Sequence, residues 1–460
     1  MGLFTANYAQ ASNQKSLTEV KTLVQNQTGY ETSSSKKDDI QKEMEEFLNQ
    51  PLTEDKAVKI AILNSPLIKA ELSSLGISEA GMRETGLLHN PTVKFSSRKS
   101  NEKGVKQNNE IEIKQDVLDV LFWPLRSNAA GARFKASQYD AANRIAQFVK
   151  EVRLSYFEWV ASEHKKALAQ DHFKAQETAL EIAHRQKQAG NINTLQMVAA
   201  QAVFQKAKIE WLKTQQDVEM LSQRLRTILS LGPDQFFMNE SSPIRDLPKE
   251  TLVLKELEKQ ALDHRLDLLM KRQEIKGLEQ SLNLANFGFF QGVEVGYDQE
   301  TETSGNKLKG IVIEGQVPLF NRNQASRFGI RSSIEMSKHL LDAMEQQVLL
   351  EVRLAYQNLM TSRQVVEAYK ETVPLYSQMV KETLYHYNFM LTDVFHLLQA
   401  KQAELETKKE YVDALKGYWA SRVELEYAVG AKLLYESVQS SVVKKDDQPK
   451  TMTHEHNHGG

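Results

Sequence analysis

The sequence predicts a mainly α-helical fold with two short pairs of β-strands, built as an internal duplication. Three observations carry this: a self-match at an offset of 200 residues, heptad-like apolar seams in very long stretches, and four short runs of apolar/polar alternation.

The duplication is read from several separated points. Glu151-Val-Arg-Leu-Ser-Tyr156 returns as Glu351-Val-Arg-Leu-Ala-Tyr356, Ala61-Ile62 falls on Ala261-Leu262, and Ala200 falls on Ala400; Gln115 meets Gln316 one residue out of step. The expected organisation is a polar N-terminal arm over 1–52, a first repeat over 53–232, a linker over 233–249, a second repeat over 250–432 and a polar, His-containing tail over 433–460. Each repeat reads as a helical stretch (53–86, 250–287), a strand pair (91–117, 290–318) and a long helical hairpin (127–230, 325–430).

The hairpins follow from the seams. Ile145, Val149, Val152, Tyr156 and Trp159 step by 4, 3, 4 and 3, and Val366, Tyr369, Val373, Tyr376 and Val380 by 3, 4, 3 and 4. That spacing is the mark of an antiparallel coiled coil. A helix over 127–187 spans about 90 Å at 1.5 Å per residue. Gly190-Asn191 supplies the first turn and 388–392 the second; Gly232-Pro233 ends the first hairpin, and Pro374 is expected to kink the second.

The strands follow from alternation. Val93 and Phe95 alternate with Lys94, Ser96 and Arg98; Ile111 and Ile113 with Glu110, Glu112 and Lys114. Val293, Val295 and Tyr297 alternate with Glu294, Gly296 and Asp298; Ile311 and Ile313 with Gly310, Val312 and Glu314. Period 2 puts apolar residues on one face and charges on the other. A soluble sheet with one wet face satisfies this pattern. So does a membrane barrel, which offers lipid to one face and a water-filled lumen to the other. Four strands cannot close a barrel, so the second reading requires oligomerisation: two chains supply eight strands and three supply twelve.

Composition narrows the function. The chain has 58 Lys+Arg against 60 Asp+Glu, for a net charge of -2, which lacks the basic footprint of a nucleic-acid binder. It has no cysteine, so disulfides and thiol catalysis are excluded. No apolar run reaches the length of a transmembrane helix. The opening MGLFTANYAQASNQ lacks the basic and apolar regions of a secretory signal, and Ala6 stands where N-myristoylation needs Ser or Thr. There is no Gly-rich phosphate loop, Gly-x-Ser-x-Gly elbow or His-Glu-x-x-His. Neither an enzyme nor a bound cofactor is expected.

Three segments resemble the TolC-like outer-membrane efflux proteins. Gly86-Leu-Leu-His-Asn-Pro91 is similar to that family's entry into its first strand, and Ala261-Leu-Asp-His-Arg-Leu-Asp267 to the opening of its second half. Gln316-Val-Pro-Leu-Phe-Asn-Arg-Asn-Gln324 is similar to its exit from the last strand, in the form found in the heavy-metal cation branch. The resemblance covers about 53–432. It implies a homotrimer whose twelve strands form a barrel in the bacterial outer membrane, continued by an α-helical barrel in the periplasm. It also implies a periplasmic adaptor and an inner-membrane RND-type pump as partners, with export of heavy-metal cations as the function. A duct for drugs or for type I protein secretion, and a soluble coiled-coil scaffold, are the alternatives. Many relatives carry an acylated N-terminal cysteine, which this chain lacks.

On this reading Val93, Phe95, Ile111, Ile113, Val293, Val295, Tyr297, Ile311 and Ile313 face lipid. Lys94, Arg98, Glu110, Glu112, Lys114, Glu294, Asp298 and Glu314 face the lumen. The helical turns carry the expected periplasmic gate and adaptor contacts: Gly190, Asn191, Asn193, Thr194, Thr392, Asp393 and His396. Asp393-Val-Phe-His396 resembles the family's Asp-Val-Leu-Asp gate segment, departing from it at His396. Asp393 also fits a plain helix cap. His454, His456 and His458 form either a metal-binding tail or an unstructured one.

Overall fold

The computed structural model describes residues 2–30, 47, 49–99, 101, 104, 106–232, 235, 244–249, 251–288, 292–316 and 319–433. The helices are α1 (Gly2–Thr28), α2 (Glu54–Asn64), α3 (Pro66–Gly86), α4 (Val117–Gln188), α5 (Thr194–Ile228), α6 (Leu254–His264), α7 (Leu266–Phe287), α8 (Gln324–Asn388) and α9 (Val394–Val429). The strands are β1 (Thr92–Arg98), β2 (Asn108–Asp116), β3 (Glu294–Thr301) and β4 (Lys307–Glu314). They form one antiparallel sheet in the order β1-β2-β3-β4, so the central β2–β3 pairing joins the two repeats.

The seam of α4 falls where its spacing puts it: Ile145, Val149, Val152, Tyr156 and Trp159 are all buried. They meet Tyr418, Trp419 and Val423 of α9, with the Phe157 and Trp419 rings stacked 5.7 Å apart. Helices pack side by side in the order α5-α4-α9-α8, while α2, α3 and α7 cover the part of α4 nearer the sheet. At 72 residues α4 is about 108 Å long.

The duplication reaches into single hydrogen bonds. Tyr156 Oη donates to the Leu52 carbonyl (3.2 Å) and Tyr356 Oη to the Leu252 carbonyl (3.3 Å). Four hairpin ends carry a residue in the left-handed region: Gly190 and Ser230 in the first repeat, Met390 and Gly430 in the second. Each is followed by the doubled N–H···O=C closure of a Schellman turn, as in Gly190 to Lys187 and Asn191 to Gln186.

Several boundaries differ from the sequence reading. The stretches 53–86 and 250–287 are each two helices, broken at Ser65 and Arg265, whose backbones match (φ -59 ψ 123; φ -59 ψ 124). Pro66 explains the first break, because a proline ring disfavours helical geometry in the residue before it. At the second, Arg265 pairs with Asp267 (2.7 Å) and with Glu351 of α8, a tertiary tie with no local signature. Helix α4 begins at Val117 rather than 127, directly from β2, because Asp116 caps it by accepting from Leu118 N–H (2.9 Å) and Asp119 N–H (3.1 Å). Strand β3 begins at Glu294, so Val293 lies just outside it, half-buried, its carbonyl accepting from Val117 N–H (3.1 Å). The end of α8 agrees with the expectation: the helix runs through Pro374 to Asn388, where the sequence places the second turn.

The first part of the expected polar arm is helix α1. Its apolar residues Val20 and Val24 are buried against α4 and α3 within an otherwise polar sequence, so composition concealed a narrow stripe. No described helix is long and apolar enough to cross a membrane.

Candidate functional site: the inside-out sheet and the hairpin tips

The sheet has its apolar face outward. Phe95 pairs with Ile111 and Val93 with Ile113, Ile113 continues to Tyr297, Tyr297 to Ile311, and Val295 to Ile313. These side chains form one continuous apolar surface, with Phe95 67% and Ile311 77% exposed. The opposite face carries the charges, and there Glu112 is only 6% exposed. Its carboxylate lies between Lys114 (2.8 Å) and Lys94 (3.5 Å); Lys94 also reaches Glu110 (3.2 Å), and Lys114 reaches Glu314 on β4 (2.5 Å). Gly296 opposes Lys114, and a Cβ there would sit 2.7 Å from the Ile113 carbonyl and 2.8 Å from the Lys114 side chain. The missing side chain therefore clears the path of the Lys114 ammonium across the sheet.

In water, this arrangement leaves apolar surface bare and shelters charge. Among the described residues the sheet packs chiefly on itself, with α4 the main helix to meet it, at β3. The expected lumen residues Lys94, Arg98, Glu110, Glu112, Lys114, Glu294, Asp298 and Glu314 share the charged face by register. The expected lipid residues Val93, Phe95, Ile111, Ile113, Val295, Tyr297, Ile311 and Ile313 share the other.

The two tips lie at the same end of the bundle. Lys165 of α4 pairs with Asp413 of α9 (2.5 Å), and Glu210 of α5 pairs with Lys409 of α9, so the hairpins run alongside one another. At the first tip Asn193 and Gln196 form a reciprocal capping box: Asn193 Oδ1 accepts from Gln196 N–H (2.9 Å), and Gln196 Oε1 accepts from Asn193 N–H (3.0 Å). Lys187 Nζ donates to Thr194 Oγ1 (3.1 Å). At the second tip Asp393 Oδ1 accepts from His396 N–H (3.0 Å) and lies 2.8 Å from His396 Nδ1. The backbone N–H of His396 holds the Asp393 carboxyl below its usual range, outweighing the small cost of burial. Asp393 therefore caps α9. Asp393 and His396 are both largely exposed, and Met390 and Leu391 project beside them into solvent.

Other polar clusters escaped the sequence reading. Arg153 is buried between Glu54 (2.5 Å) and Glu426 (2.5 Å), tying α2, α4 and α9. The repeated Glu-Val-Arg-Leu segment held its signal, since Arg353 likewise pairs with Glu258 (2.5 Å). Asp119, buried at the base of the sheet, accepts from the backbone N–H of His89 (2.8 Å) and pairs with Arg126 (2.6 Å). Among the described residues no group of three or more His, Asp or Glu side chains is placed to hold a metal ion. His454, His456 and His458 lie outside the described residues.

Residues 58–231 match the family described as outer membrane efflux protein. That match falls on the first repeat. The second repeat is its structural copy within the same chain. The CusC structure, described in terms of conformational changes accompanying folding and transmembrane channel formation, superposes with a TM-score of 0.69 at 14% identity, over 88% of this chain and 96% of that one. The outer membrane protein VceC of Vibrio cholerae gives 0.67 at 15% identity, over 82% and 96%. The open state of the Neisseria gonorrhoeae MtrE outer membrane channel gives 0.66 at 16% identity, over 82% and 89%. No curated protein sequence matches. This chain thus shares its fold, long helical hairpins joined to a four-stranded sheet, with these outer-membrane channels.

Proposed function

We propose that the chain is one third of a homotrimeric outer-membrane exit duct, passing heavy-metal cations delivered by a periplasmic adaptor and an inner-membrane RND-type pump. The carrying observation is the inside-out sheet. Four strands with an exposed apolar face and a linked charged face, open at β1 and β4, are one third of a twelve-stranded barrel with lipid outside and water within. The exposed apolar residues of α8 (Leu340, Leu350, Leu354) and α5 (Ile209, Leu212, Met220) flank the row of helices and supply the faces on which neighbouring copies pack.

Cations as cargo are favoured by the charged face. By register it holds Glu110, Glu112, Asp116, Glu294, Asp298, Glu300 and Glu314 against Lys94, Arg98 and Lys114, an excess of carboxylates that attracts cations into a narrow aqueous path. The Pro-Leu-Phe-Asn-Arg-Asn-Gln segment supports the same branch. Within it, Asn323 adopts φ 60 and donates from Nδ2 to the Ala285 carbonyl (3.0 Å), joining the start of α8 to the end of α7.

Val295→Arg and Glu294→Gln, measured by folding into lipid vesicles, test the barrel. Val295→Arg weakens insertion by about 2–4 kcal/mol if it lies near mid-bilayer, while Glu294→Gln leaves it unchanged. Equal behaviour of the two variants contradicts the barrel. For cargo, deletion of the gene sensitises cells to metal ions; sensitivity to drugs alone supports the drug-duct reading instead.

A further inference from the structure

The strands are short for the layer they cross. They are 7, 9, 8 and 8 residues long. An eight-residue strand tilted by about 40° rises roughly 20 Å, against an apolar band of roughly 25 Å in outer-membrane barrels. The inside-out pattern does not stop where the strands do.

Ile111, Ile113 and Gln115 point to the apolar face of β2, and Val117 continues that parity as the first residue of α4. From there the exposed stripe turns helical: Val117, Val120, Leu121 and Trp123 are large apolar side chains open to solvent in the first two turns, and Asn128 begins the polar surface beyond. The opposite face of the same turns is polar and sheltered. Asp119 is buried there, bound to His89 and Arg126, and the charge sits inside as it does in the sheet. Phe122 turns inward and stacks on Phe287 at 5.3 Å. Trp123 keeps its ring at the surface while its indole N–H is satisfied internally by the Gly86 carbonyl. An amphipathic ring with its donor already paired suits the edge of a bilayer.

We propose that the bilayer boundary runs through helix α4 rather than below the strands, so that Val117, Val120, Leu121 and Trp123 contact lipid on the periplasmic side. The occupant of this patch is lipid because the patch continues the apolar face of β2 without a break in chain, and the one polar side chain between them, Gln115, has its amide held by the His89 carbonyl (3.1 Å). The proposal rests on the barrel reading above and adds about 10 Å of helix to the membrane-embedded part, at about 1.5 Å per residue from Val117 to Trp123.

The chain has no cysteine, so single-cysteine variants carry one label each. Ile113→Cys, Leu121→Cys and Asn128→Cys are spin-labelled in the full chain and reconstituted in phosphatidylethanolamine/phosphatidylglycerol vesicles. Collision with oxygen, which concentrates in lipid, is then compared with collision with a water-soluble nickel chelate. The oxygen-to-nickel ratio at Leu121 rises from the Asn128 value to the Ile113 value. Val120→Cys repeats the reading if the label at 121 disturbs folding. A Leu121 label as open to nickel as Asn128 overturns the proposal by placing these turns in water. A label shielded from both overturns it by placing them against another chain. In either case a lipid-like ratio at Ile113 leaves the barrel standing, whereas a water-like ratio at Ile113 removes the barrel itself and this inference with it.

Discussion

Tyr156 and Tyr356 make the same hydrogen bond to residues 104 positions earlier, yet the helices that carry them sit in different surroundings. Helix α4 is packed by α1, α2, α3, α5, α7 and α9, and its seam is closed within one chain. Helix α8 meets α6, α7 and α9, and leaves Leu340, Leu350 and Leu354 open. One backbone plan therefore serves as core in the first repeat and as edge in the second. What distinguishes them is the environment of equivalent residues, and four pairs of positions expose the difference.

The largest effect is expected at Arg153 and Arg353. Arg153→Ala removes the cation shared by buried Glu54 and Glu426, leaving Glu54 to Arg245 (3.7 Å) and Glu426 to Arg422 (3.3 Å), which costs about 3 kcal/mol, the low end for a broken buried pair. Arg353 pairs with Glu258 at the surface, and Arg353→Ala costs about 1 kcal/mol or less. Denaturant unfolding of the two variants measures the gap, and equal losses would show that the repeats are equally packed.

Next comes acid sensitivity. Burial raises the pKa of Glu404, but donors from Lys401 (2.6 Å), Lys408 (2.7 Å) and Ser377 (2.7 Å) outweigh it and bring the carboxyl down to about 2. A pKa lowered in the folded state stabilises above the unfolded value, near 4.3 for glutamate, and that contribution fades as pH falls toward 2. The equivalent position in the first hairpin is Phe204, near the Phe173 ring at 5.6 Å, which has nothing to titrate. Hydrogen-exchange protection, corrected for the intrinsic pH dependence of amide exchange, should fall between pH 5 and pH 3 more in α8 and α9 than in α4 and α5, where Glu210 also has a lowered pKa, and Glu404→Gln should shrink that difference.

The tips differ by one backbone strain. Gly190 occupies the left-handed region freely, whereas Met390 is held there at φ 58 with its side chain 93% exposed. A left-handed L-residue costs about 1–2 kcal/mol, so Met390→Gly should stabilise its hairpin by about 1 kcal/mol and Gly190→Met should destabilise the other by a similar amount. Thermal melts of the two variants should shift in opposite directions.

The smallest effect is at the caps. Asp393→Asn keeps an oxygen for the His396 N–H, as Asn193 does for Gln196, and costs about 1 kcal/mol or less. If Asp393 also rings an aperture in the trimer, the same variant shifts the reversal potential in a salt gradient. If it only caps, the potential stays put.

The features readable in the sequence were those with a period or a copy. The seam from Ile145 to Trp159, the four strands and their faces, and the offset of 200 all depend on spacing alone. Long-range partners were not readable. Nothing near Arg153 announces Glu426, 273 residues away, and nothing near Arg265 announces Glu351. The break at Ser65 was legible in Pro66, whereas its copy at Arg265 has no proline and coincides with pairing to Asp267 and to distant Glu351. Helix α1 was missed because two valines and a few neighbours carry its contact with α4, too few to lift a polar composition. At the tips, the sequence offered Asp393 as gate or cap; its hydrogen bonds show the cap, and any gate requires the other copies.

In the trimer proposed above, two further copies close the open edges of one chain, at β1 and β4 of the sheet and along α5 and α8. Native mass measurement in mild detergent addresses this directly. The account predicts a single species of three 52.4 kDa chains, and a stable 52.4 kDa monomer would contradict it.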